Sequence, residues 1–394
     1  MTATATIAYL ADGKLYCARD GGEGKQVESE FIKQFEERRA LSRERNSFRA
    51  KGMMWNFNQA QNMSMTEMPG GDDQQLPVRF TGVTAGAKPG EMYYSLQTDL
   101  IGGLFNLELA TGYERRLVHR QQLDLRDLAR CPSTGELACT LGVGNGTTNI
   151  GLTDAEGGGL KEVTSGDSLD EAPSWAADQK RTLIFQTAGI GRHDNGMIFG
   201  LGPCAISSLD LDSGDLKMLL EDDKFDFIAP QRAADGSLYF IRRPYQMRPG
   251  TSPLKVAGDI VAFPFRMARA FFHFLNAFSM FFSRKPLITS GGPQRQGPDK
   301  RAIMLWGRWV EVDRAMRYAK PDADPPLVPS SWTLMRRTPD GVETTLATGV
   351  VAYDLAPGGT ILHTNGSAIY LTPPGGEAKR VARSRFVDRV KLIA

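Results

Sequence analysis

The sequence predicts an all-β chain, specifically a six-bladed β-propeller with helical insertions at about residues 29–75 and 245–330 on one face. Three observations support this prediction. Gly (42 residues) and Pro (22 residues) are abundant in a chain of 394, which indicates many turns between short strands. A turn containing Pro, Asp or Gly recurs ahead of pairs of apolar strands. Three of these turns are evenly spaced, since Gly90 and Gly135 are 45 residues apart and Asp178 follows after 43, whereas Gly236 follows Asp178 after 58. A period of about 40–45 residues is typical of propeller blades.

The repeats can be followed along the chain from turn to turn. Each turn leads into an alternating or apolar strand, then a short break and a second strand. The turns lie at residues 11–13, 88–90, 132–135, 173–178, 230–236 and 356–359. Gly236 and Gly359 are separated by 123 residues, so one long insertion must interrupt the regular period there.

Two of the turns carry a recognisable motif. Residues 172–178 (APSWAAD) and 229–236 (APQRAADG) resemble the P-x-W-S-P-D-G turn of TolB-like propeller repeats, also called PD40 or WD40-like repeats. Residues 205–214 resemble the hairpin that follows it in that family. The resemblance covers most of the chain except residues 30–75 and 245–330. It implies a propeller used for protein–protein recognition, frequently within envelope machinery.

The two chain ends are expected to complete one blade together. Residues 7–10 and 14–17 have no earlier inner strand, and residues 385–393 have no later strands with which to pair. Such closure removes exposed sheet edges. The resulting division is a single propeller with two insertions: residues 1–28, 76–244 and 331–394 for the propeller, 29–75 for a helical, Met-rich insertion, and 245–330 for an insertion with a Phe-rich helix.

All long insertions are expected on one rim of the propeller. In a four-stranded blade, the connection between blades and the connection between the second and third strands lie on the same rim. The insertion at 29–75 is assigned to the first kind of connection. The insertion at 245–330 and a shorter Gly-rich one at 188–203 are assigned to the second kind.

Composition excludes several classes of protein. The 47 Lys and Arg residues nearly balance 45 Asp and Glu, which argues against a nucleic-acid partner. The four Cys residues form no CxxC pair, so we expect buried free thiols. The first residues show no basic region followed by a long apolar run, and we therefore expect a cytoplasmic protein, in contrast to the secreted TolB-like propellers.

Residues 254–285 form the most unusual segment, because they hold eight of the 20 Phe residues. The polar residues within it follow one another at helical spacing, which predicts a helix with one narrow polar stripe and a wide apolar face. The candidate contact residues on this helix are Phe263, Phe265, Arg266, Arg269, Phe271, Phe272, Phe274, Phe278, Phe281 and Phe282.

Several interpretations of this helix stay open. It fits a membrane surface, with basic residues toward the head groups, and it fits equally a groove on a partner protein. It could also fold back onto the propeller. A true membrane span is disfavoured, because the Arg, His and Asn residues within it are costly in hydrocarbon.

The first insertion contains two features. Ser29 is placed to cap a helix that begins at Glu30. A Met-rich stretch from residue 53 to residue 68 follows, in which Met53, Met54 and Trp55 are candidate contacts, since Met suits adaptable binding surfaces. Packing of this stretch against the propeller is the alternative.

Catalytic patterns are weak in this sequence. The four His residues form no metal-binding motif, and no G-x-S-x-G turn of a serine hydrolase is found. We therefore expect no enzyme, cofactor or metal site. The leading prediction is a non-catalytic scaffold for protein–protein interaction, anchored by the Phe-rich helix to a partner or to the inner face of a membrane. The alternative is a small-molecule-binding or hydrolytic propeller enzyme that uses the central channel.

Overall fold

A computed structural model describes residues 6–19, 22–38, 40–41, 78–98, 101–193, 195–196, 198–245, 302–305, 308–311 and 324–393. Within these residues the strands form a β-propeller of six four-stranded antiparallel meanders, here called blades 1 to 6. The predicted all-β propeller fold is therefore confirmed. A single parallel pair between Thr148 and Leu169 also joins blades 3 and 4.

The strands are given from the innermost to the outermost. Blade 1 consists of β27 (Val387–Ile393), β1 (Thr6–Ala11), β2 (Lys14–Arg19) and β3 (Lys25–Gln26). Blade 2 consists of β4 (Arg79–Ala85), β5 (Glu91–Gln97), β6 (Ile101–Glu108) and β7 (Glu114–Gln121). Blade 3 consists of β8 (Asp124–Arg130), β9 (Leu137–Gly142), β10 (Thr148–Thr153) and β11 (Lys161–Glu162).

The second half of the ring follows the same order. Blade 4 consists of β12 (Ser168–Trp175), β13 (Thr182–Arg192), β15 (Ala205–Asp210) and β16 (Leu216–Leu220), with β14 (Ile198–Leu201) paired to the end of β13. Blade 5 consists of β17 (Phe225–Arg232), β18 (Leu238–Pro244), β21 (Thr333–Arg337) and β22 (Glu343–Thr348). Blade 6 consists of β23 (Ala352–Leu355), β24 (Ile361–Thr364), β25 (Ala368–Thr372) and β26 (Lys379–Arg383).

Blade 1 is built from both ends of the chain. The C-terminal strand β27 pairs antiparallel with β1, from Thr6 opposite Ile393 to Ala11 opposite Val387. Blade 1 thereby gains its innermost strand from the last residues of the sequence. The ring is closed by this pairing, which leaves β1 without a free edge.

The recurring Ala-Pro of the turn motif occupies a bulge in the innermost strand. In β12 the register shifts between Glu171 and Ser174, and the bulged Ala172 has a φ of 51°. In β17 the same shift surrounds Ala229, with a φ of 53°. A bulged residue makes no ladder hydrogen bond, so the proline after each alanine costs no backbone donor.

The core lies between adjacent blades. Six clusters of buried apolar side chains fill the six junctions, and the largest of these side chains include Phe105, Phe185 and Phe240. Each sheet is thus covered on both faces, which explains why the inner three strands of most blades are buried nearly throughout.

The blade topology defines two rims. The insertion rim carries the connections between blades and those between second and third strands, including the segments after β3, after β18 and at β13–β14. The turn rim carries the short turns between first and second strands and between third and fourth strands. The three long connections therefore leave the propeller from one rim.

The described parts of the insertions contain both helix and strand. Residues 30–38 form a helix, here α1, that begins at the predicted position. The connection at 188–203 is a hairpin of β13 and β14. Within 245–330, predicted as a helical insertion, the described part includes a β-hairpin of β19 (Ala302–Leu305) and β20 (Arg308–Glu311). Among the described residues, no helix is long and apolar enough to cross a membrane.

The four Cys residues are free thiols. Cys131, Cys139 and Cys204 are buried, and Cys17 is partly buried. Burial raises the pKa of Cys17 and of Cys139 to about 12, so both remain protonated at neutral pH.

His363 on β24 gives the fold a specific pH dependence. Burial lowers its pKa from 6.5 to about 4, and its ring stacks on Tyr370 at 5.3 Å. The pKa of His363 is therefore lower in the folded chain than in the unfolded chain. Between pH 6.5 and about pH 4 the unfolded chain binds more protons, so the folded state loses stability as the pH falls through this range. The shift corresponds to about 3 kcal/mol.

The variant His363→Phe tests this pH dependence, because it removes the titrating group. We expect the difference in unfolding free energy between the variant and the parent, measured with urea, to change in favour of the variant by about 3 kcal/mol between pH 7 and pH 4. A difference between the two proteins that does not change with pH would disprove this role.

Candidate functional site

The sequence-predicted contact residues lie outside the residues that the structure describes. They are Phe263, Phe265, Arg266, Arg269, Phe271, Phe272, Phe274, Phe278, Phe281, Phe282, Met53, Met54 and Trp55. The structure does describe the points on the insertion rim from which their segments leave the propeller, and it describes the central channel. These two regions are the candidate functional surfaces.

The first insertion is fixed to blade 2 by the start of α1. Ser29 caps the helix, as predicted, with its Oγ 3.4 Å from the backbone N of Ile32. The carboxylate of Glu114 on β7 accepts hydrogen bonds from the backbone N–H groups of Glu30 and Phe31, at 3.1 and 3.0 Å. A carboxylate at this position also interacts favourably with the positive end of the helix dipole. The entry to α1 is thus held by the side chain of a residue 84 positions after Glu30 in the sequence.

A buried tyrosine completes this attachment. The Tyr94 hydroxyl donates to Glu114 at 2.5 Å and lies 2.9 Å from Ser29 Oγ. Burial, with the adjacent Glu114 carboxylate, raises the pKa of Tyr94 well above its ordinary value. The ring of Phe31 packs against Phe105 at 5.1 Å and against His119 at 5.2 Å. The apolar side of α1 is therefore part of the junction between blades 1 and 2.

The third insertion leaves blade 5 beside a buried ion pair. Arg243 Nε lies 2.9 Å from Asp226 Oδ2, and these side chains are only 4% and 1% exposed. Asp226 Oδ1 accepts the backbone N–H of Cys204 at 3.0 Å. The Arg243 guanidinium also lies over the Trp332 ring, 4.7 Å from its centre. Arg243 precedes the insertion and Trp332 follows it, so one contact joins the two ends of the insertion.

The C-terminal end of this insertion is fastened to blade 6. Asp324 pairs with Arg380 and Arg383 at 2.5 and 2.6 Å. Leu327 packs on Gly366, where a Cβ would lie 2.5 Å from Leu327 Cδ1 and where φ is +90°. Glycine is therefore required at 366 for this close approach.

The hairpin at 188–203 is held by contacts to the neighbouring loops of the same rim. The Arg192 guanidinium binds Asp167 through its Nε at 2.7 and 2.8 Å. Its Nη2 donates to the backbone oxygen of Asn145 at 3.2 Å. The insertion rim around blades 3 and 4 is therefore cross-linked by polar contacts.

The central channel is a cavity of about 1040 Å³ lined by all six innermost strands. It extends from the middle of these strands to the short turns of the turn rim, including residues 132, 177, 233–235 and 356–360. The channel therefore has its described mouth on the rim opposite the insertions.

Two ion pairs join lining residues of the channel from different blades. Arg389 on blade 1 binds Asp127 on blade 3 at 2.9 Å, across the inner strand of blade 2. Lys391 binds Asp354 on blade 6 at 2.6 Å. Glu171 and Asp388 lie on the innermost strands but outside the cavity lining; burial raises the pKa of Glu171, with Asp127 adding to the effect, and burial raises the pKa of Asp388 to about 6. These ion pairs connect inner strands that are distant in sequence.

Side chains of one blade also bond directly to the innermost strand of the next blade. Thr81 Oγ1 donates to the backbone oxygen of Leu125 at 2.6 Å. Gln186 Oε1 accepts the N–H of Ala229 at 2.8 Å, and Gln231 Oε1 accepts the N–H of Leu355 at 2.9 Å. These hydrogen bonds satisfy backbone groups of the innermost strands.

Sequence reasoning missed this channel layer. The inner strands carry Asp127, Glu171, Asp388 and Arg389, but no His or Glu recurs among them. A signal was available in the charged residues that precede or occupy the strand bulges, for example Glu171 immediately before Ala172. Among the described residues no group of three or more His, Cys, Asp or Glu side chains is arranged to hold a metal ion.

Comparison with known proteins shows the fold. No family model matches the sequence, and no curated protein sequence matches it. TolB from Acinetobacter baumannii matches with a TM-score of 0.50 and 12% identity over 98% of this chain and 66% of that chain. This chain therefore spans slightly less than two thirds of that protein's length.

Two further structures match with lower TM-scores. One, from the nidogen/laminin complex, has a TM-score of 0.49 and 7% identity over 99% of this chain and 98% of that chain. The tricorn protease has a TM-score of 0.46 and 13% identity over 95% of this chain and 33% of that chain. The chain is similar to TolB in its propeller fold, in agreement with the motifs of residues 172–178 and 229–236.

Proposed function

We propose that this chain is a β-propeller scaffold that binds a partner protein through its insertion rim, with the Phe-rich segment 254–285 as the main contact. The observation that carries the proposal is the strand order. It makes all three long connections leave the propeller from one rim, so that segments distant in sequence can act on one surface.

Rigid attachment points support the same function. At the start of the first insertion, Glu114 accepts hydrogen bonds from the backbone of Glu30 and from the Tyr94 hydroxyl. At the two ends of the third insertion, Arg243 and Trp332 are in contact. A binding segment loses less entropy on association when its ends are already fixed. The propeller thus acts as a frame that presents the insertions.

The composition of the third insertion supports an apolar partner surface. The helix that the sequence predicts within residues 254–285, with eight Phe residues on a wide face, would need a cover, because soluble proteins rarely expose apolar patches beyond a few hundred Å². Grooves on partner proteins accept such helices through aromatic anchors at helical spacing. We place the protein in the cytoplasm, and at the inner membrane face if the cover is lipid.

An insertion exchange separates binding from folding. A flexible linker of about 20 Gly and Ser residues replaces residues 246–323 and runs from Tyr245, after β18 of blade 5, to Asp324, which is paired with β26 of blade 6. We expect this variant to stay folded and to lose the proteins that co-purify with the intact chain from its own cells. A control carrying Lys88→Ser and Glu156→Ser changes exposed residues of the turn rim and should keep them. Equal recovery of partners by the exchange variant would contradict the proposal.

A vesicle experiment distinguishes lipid from protein as the cover. The intact chain is sedimented with phosphatidylcholine and phosphatidylglycerol vesicles beside a Phe271→Ser, Phe274→Ser, Phe278→Ser variant. A control variant replaces the exposed Leu216, Met218 and Leu346 of the outer strands with Ser. Binding lost only in the Phe variant would assign the helix to a membrane surface. Absence of vesicle binding by the intact chain leaves the partner protein as the cover.

A further inference from the structure

The mouth of the central channel has the properties of a ligand site, and it lies on the turn rim, away from the surface of the proposed function. Its volume of about 1040 Å³ is at the upper end for small-molecule pockets. Much of its wall is apolar, with Pro173, Pro230, Leu355 and Leu392 among the lining residues. Pockets of this kind bind apolar bodies and orient them with a few polar groups.

Two arginines occupy equivalent positions at this mouth. Arg130 is the last residue of β8 and is paired with Leu137, the first residue of β9. Arg232 is the last residue of β17 and is paired with Leu238, the first residue of β18. The strand between them, β12, ends on Trp175, which also lines the cavity. The three side chains are therefore presented side by side at one level of the ring.

Both guanidinium groups have unused donors. The Nε atoms of Arg130 and Arg232 are buried and have no hydrogen-bond partner. Arg232 is paired with Asp178 at 2.9 Å. For Arg130 no ion pair is found within the part of the chain that the structure describes. Its charge cannot be lost by deprotonation, because arginine stays protonated in proteins, and a buried donor without a partner is costly.

The other charges along the cavity are compensated. Asp127 is paired with Arg389, and Asp354 is paired with Lys391. Asp235, on the turn after β17, is paired with Arg336 at 2.8 Å. Among the charged residues that line the cavity, the positive charge of Arg130 is therefore the one that no paired carboxylate compensates in the described part of the chain.

We propose that the channel mouth binds an organic anion, whose carboxylate or phosphate pairs with Arg130 beside Arg232 and whose apolar part lies in the channel next to Trp175. The planar guanidinium fork matches carboxylate and phosphate oxygens. The apolar wall below it favours a ligand with a hydrocarbon portion over a bare inorganic ion.

Titration calorimetry with three probes at low ionic strength tests the proposal. Hexanoate carries both the charge and the apolar chain, hexanamide lacks the charge, and acetate lacks the chain. We expect hexanoate to bind most tightly. Arg130→Gln should weaken hexanoate binding by about tenfold or more, the usual effect of losing a charge-assisted hydrogen bond, and should leave hexanamide binding unchanged. Arg130→Lys, which keeps the charge without the fork, should fall between the parent and Arg130→Gln.

The control is Arg115→Gln on the outer strand β7, outside the channel, which should bind hexanoate like the parent. Three results would each overturn the proposal: no hexanoate binding by the native chain, equal affinity of hexanoate and hexanamide, or unchanged hexanoate affinity in Arg130→Gln. If Arg130→Gln does not fold, the comparison of hexanoate with hexanamide on the native chain decides alone.

Discussion

Replacing Asp226 with Ala is expected to lower the free energy of unfolding by about 3–5 kcal/mol, because the buried Arg243 guanidinium would then lose the Asp226 carboxylate. The backbone N–H of Cys204 would also lose its acceptor. Asp226→Asn should be less harmful, since its amide oxygen can still accept that hydrogen bond. Urea unfolding of the two variants and the parent measures both effects.

The matched control is Glu343→Ala in the same blade. Glu343 pairs with Arg242 at 3.3 Å and with Arg337 at 3.4 Å, but its side chain is 30% exposed. Exposed pairs of this kind contribute about 0–1 kcal/mol. If Asp226→Ala were no more destabilising than Glu343→Ala, the buried pair would not hold the base of the third insertion.

Deletion of residues 387–394 is expected to prevent stable folding at 25 °C. The deletion removes β27, and with it the buried side chains of Val387, Val390 and Ile393. At about 1.5–3 kcal/mol for each side chain, roughly 5–9 kcal/mol is lost, which is comparable to the whole stability of a typical domain. The pairing of Arg389 with Asp127 and of Lys391 with Asp354 is lost as well. Circular dichroism and size-exclusion chromatography would show the loss of the folded chain.

Two controls distinguish ring closure from a general effect of truncation. A synthetic peptide of residues 384–394 should restore folding when it is added to the shortened chain. A circular permutant that joins the two ends and opens the exposed turn at residues 111–112 should fold, because Thr6 and Ile393 are paired neighbours. A shortened chain that unfolds cooperatively near the parent melting temperature would show that β27 is dispensable.

Local sequence signals predicted the features that depend on residues near one another. The spacing of Gly90, Gly135 and Asp178 identified the repeat, and Ser29 identified the start of α1. The proline in residues 172–178 and 229–236 marked the inner-strand turn motif, although the bulge that accommodates it became clear only from the strand register.

Features made by residues far apart in sequence could not be predicted in this way. Asp127 and Arg389 are 262 positions apart and meet only when the ring closes. Glu114 caps α1 from the outer strand of blade 2, at a position that no helix-start pattern includes. Arg130 could be identified only after the surrounding ion pairs were known. The hairpin of β19 and β20 lies in the insertion at residues 245–330, for which the prediction rested on the helical pattern of residues 254–285.

Site-specific photo-cross-linking tests the central claim, that the insertion rim is the contact surface, most directly. Benzoylphenylalanine would be placed at Phe274 in the third insertion, and separately at the exposed Lys88 of the turn rim. Irradiation in the cells that produce the protein is predicted to give a discrete adduct from position 274 and none from position 88. An adduct from position 88 alone would place the partner on the opposite rim and contradict the account.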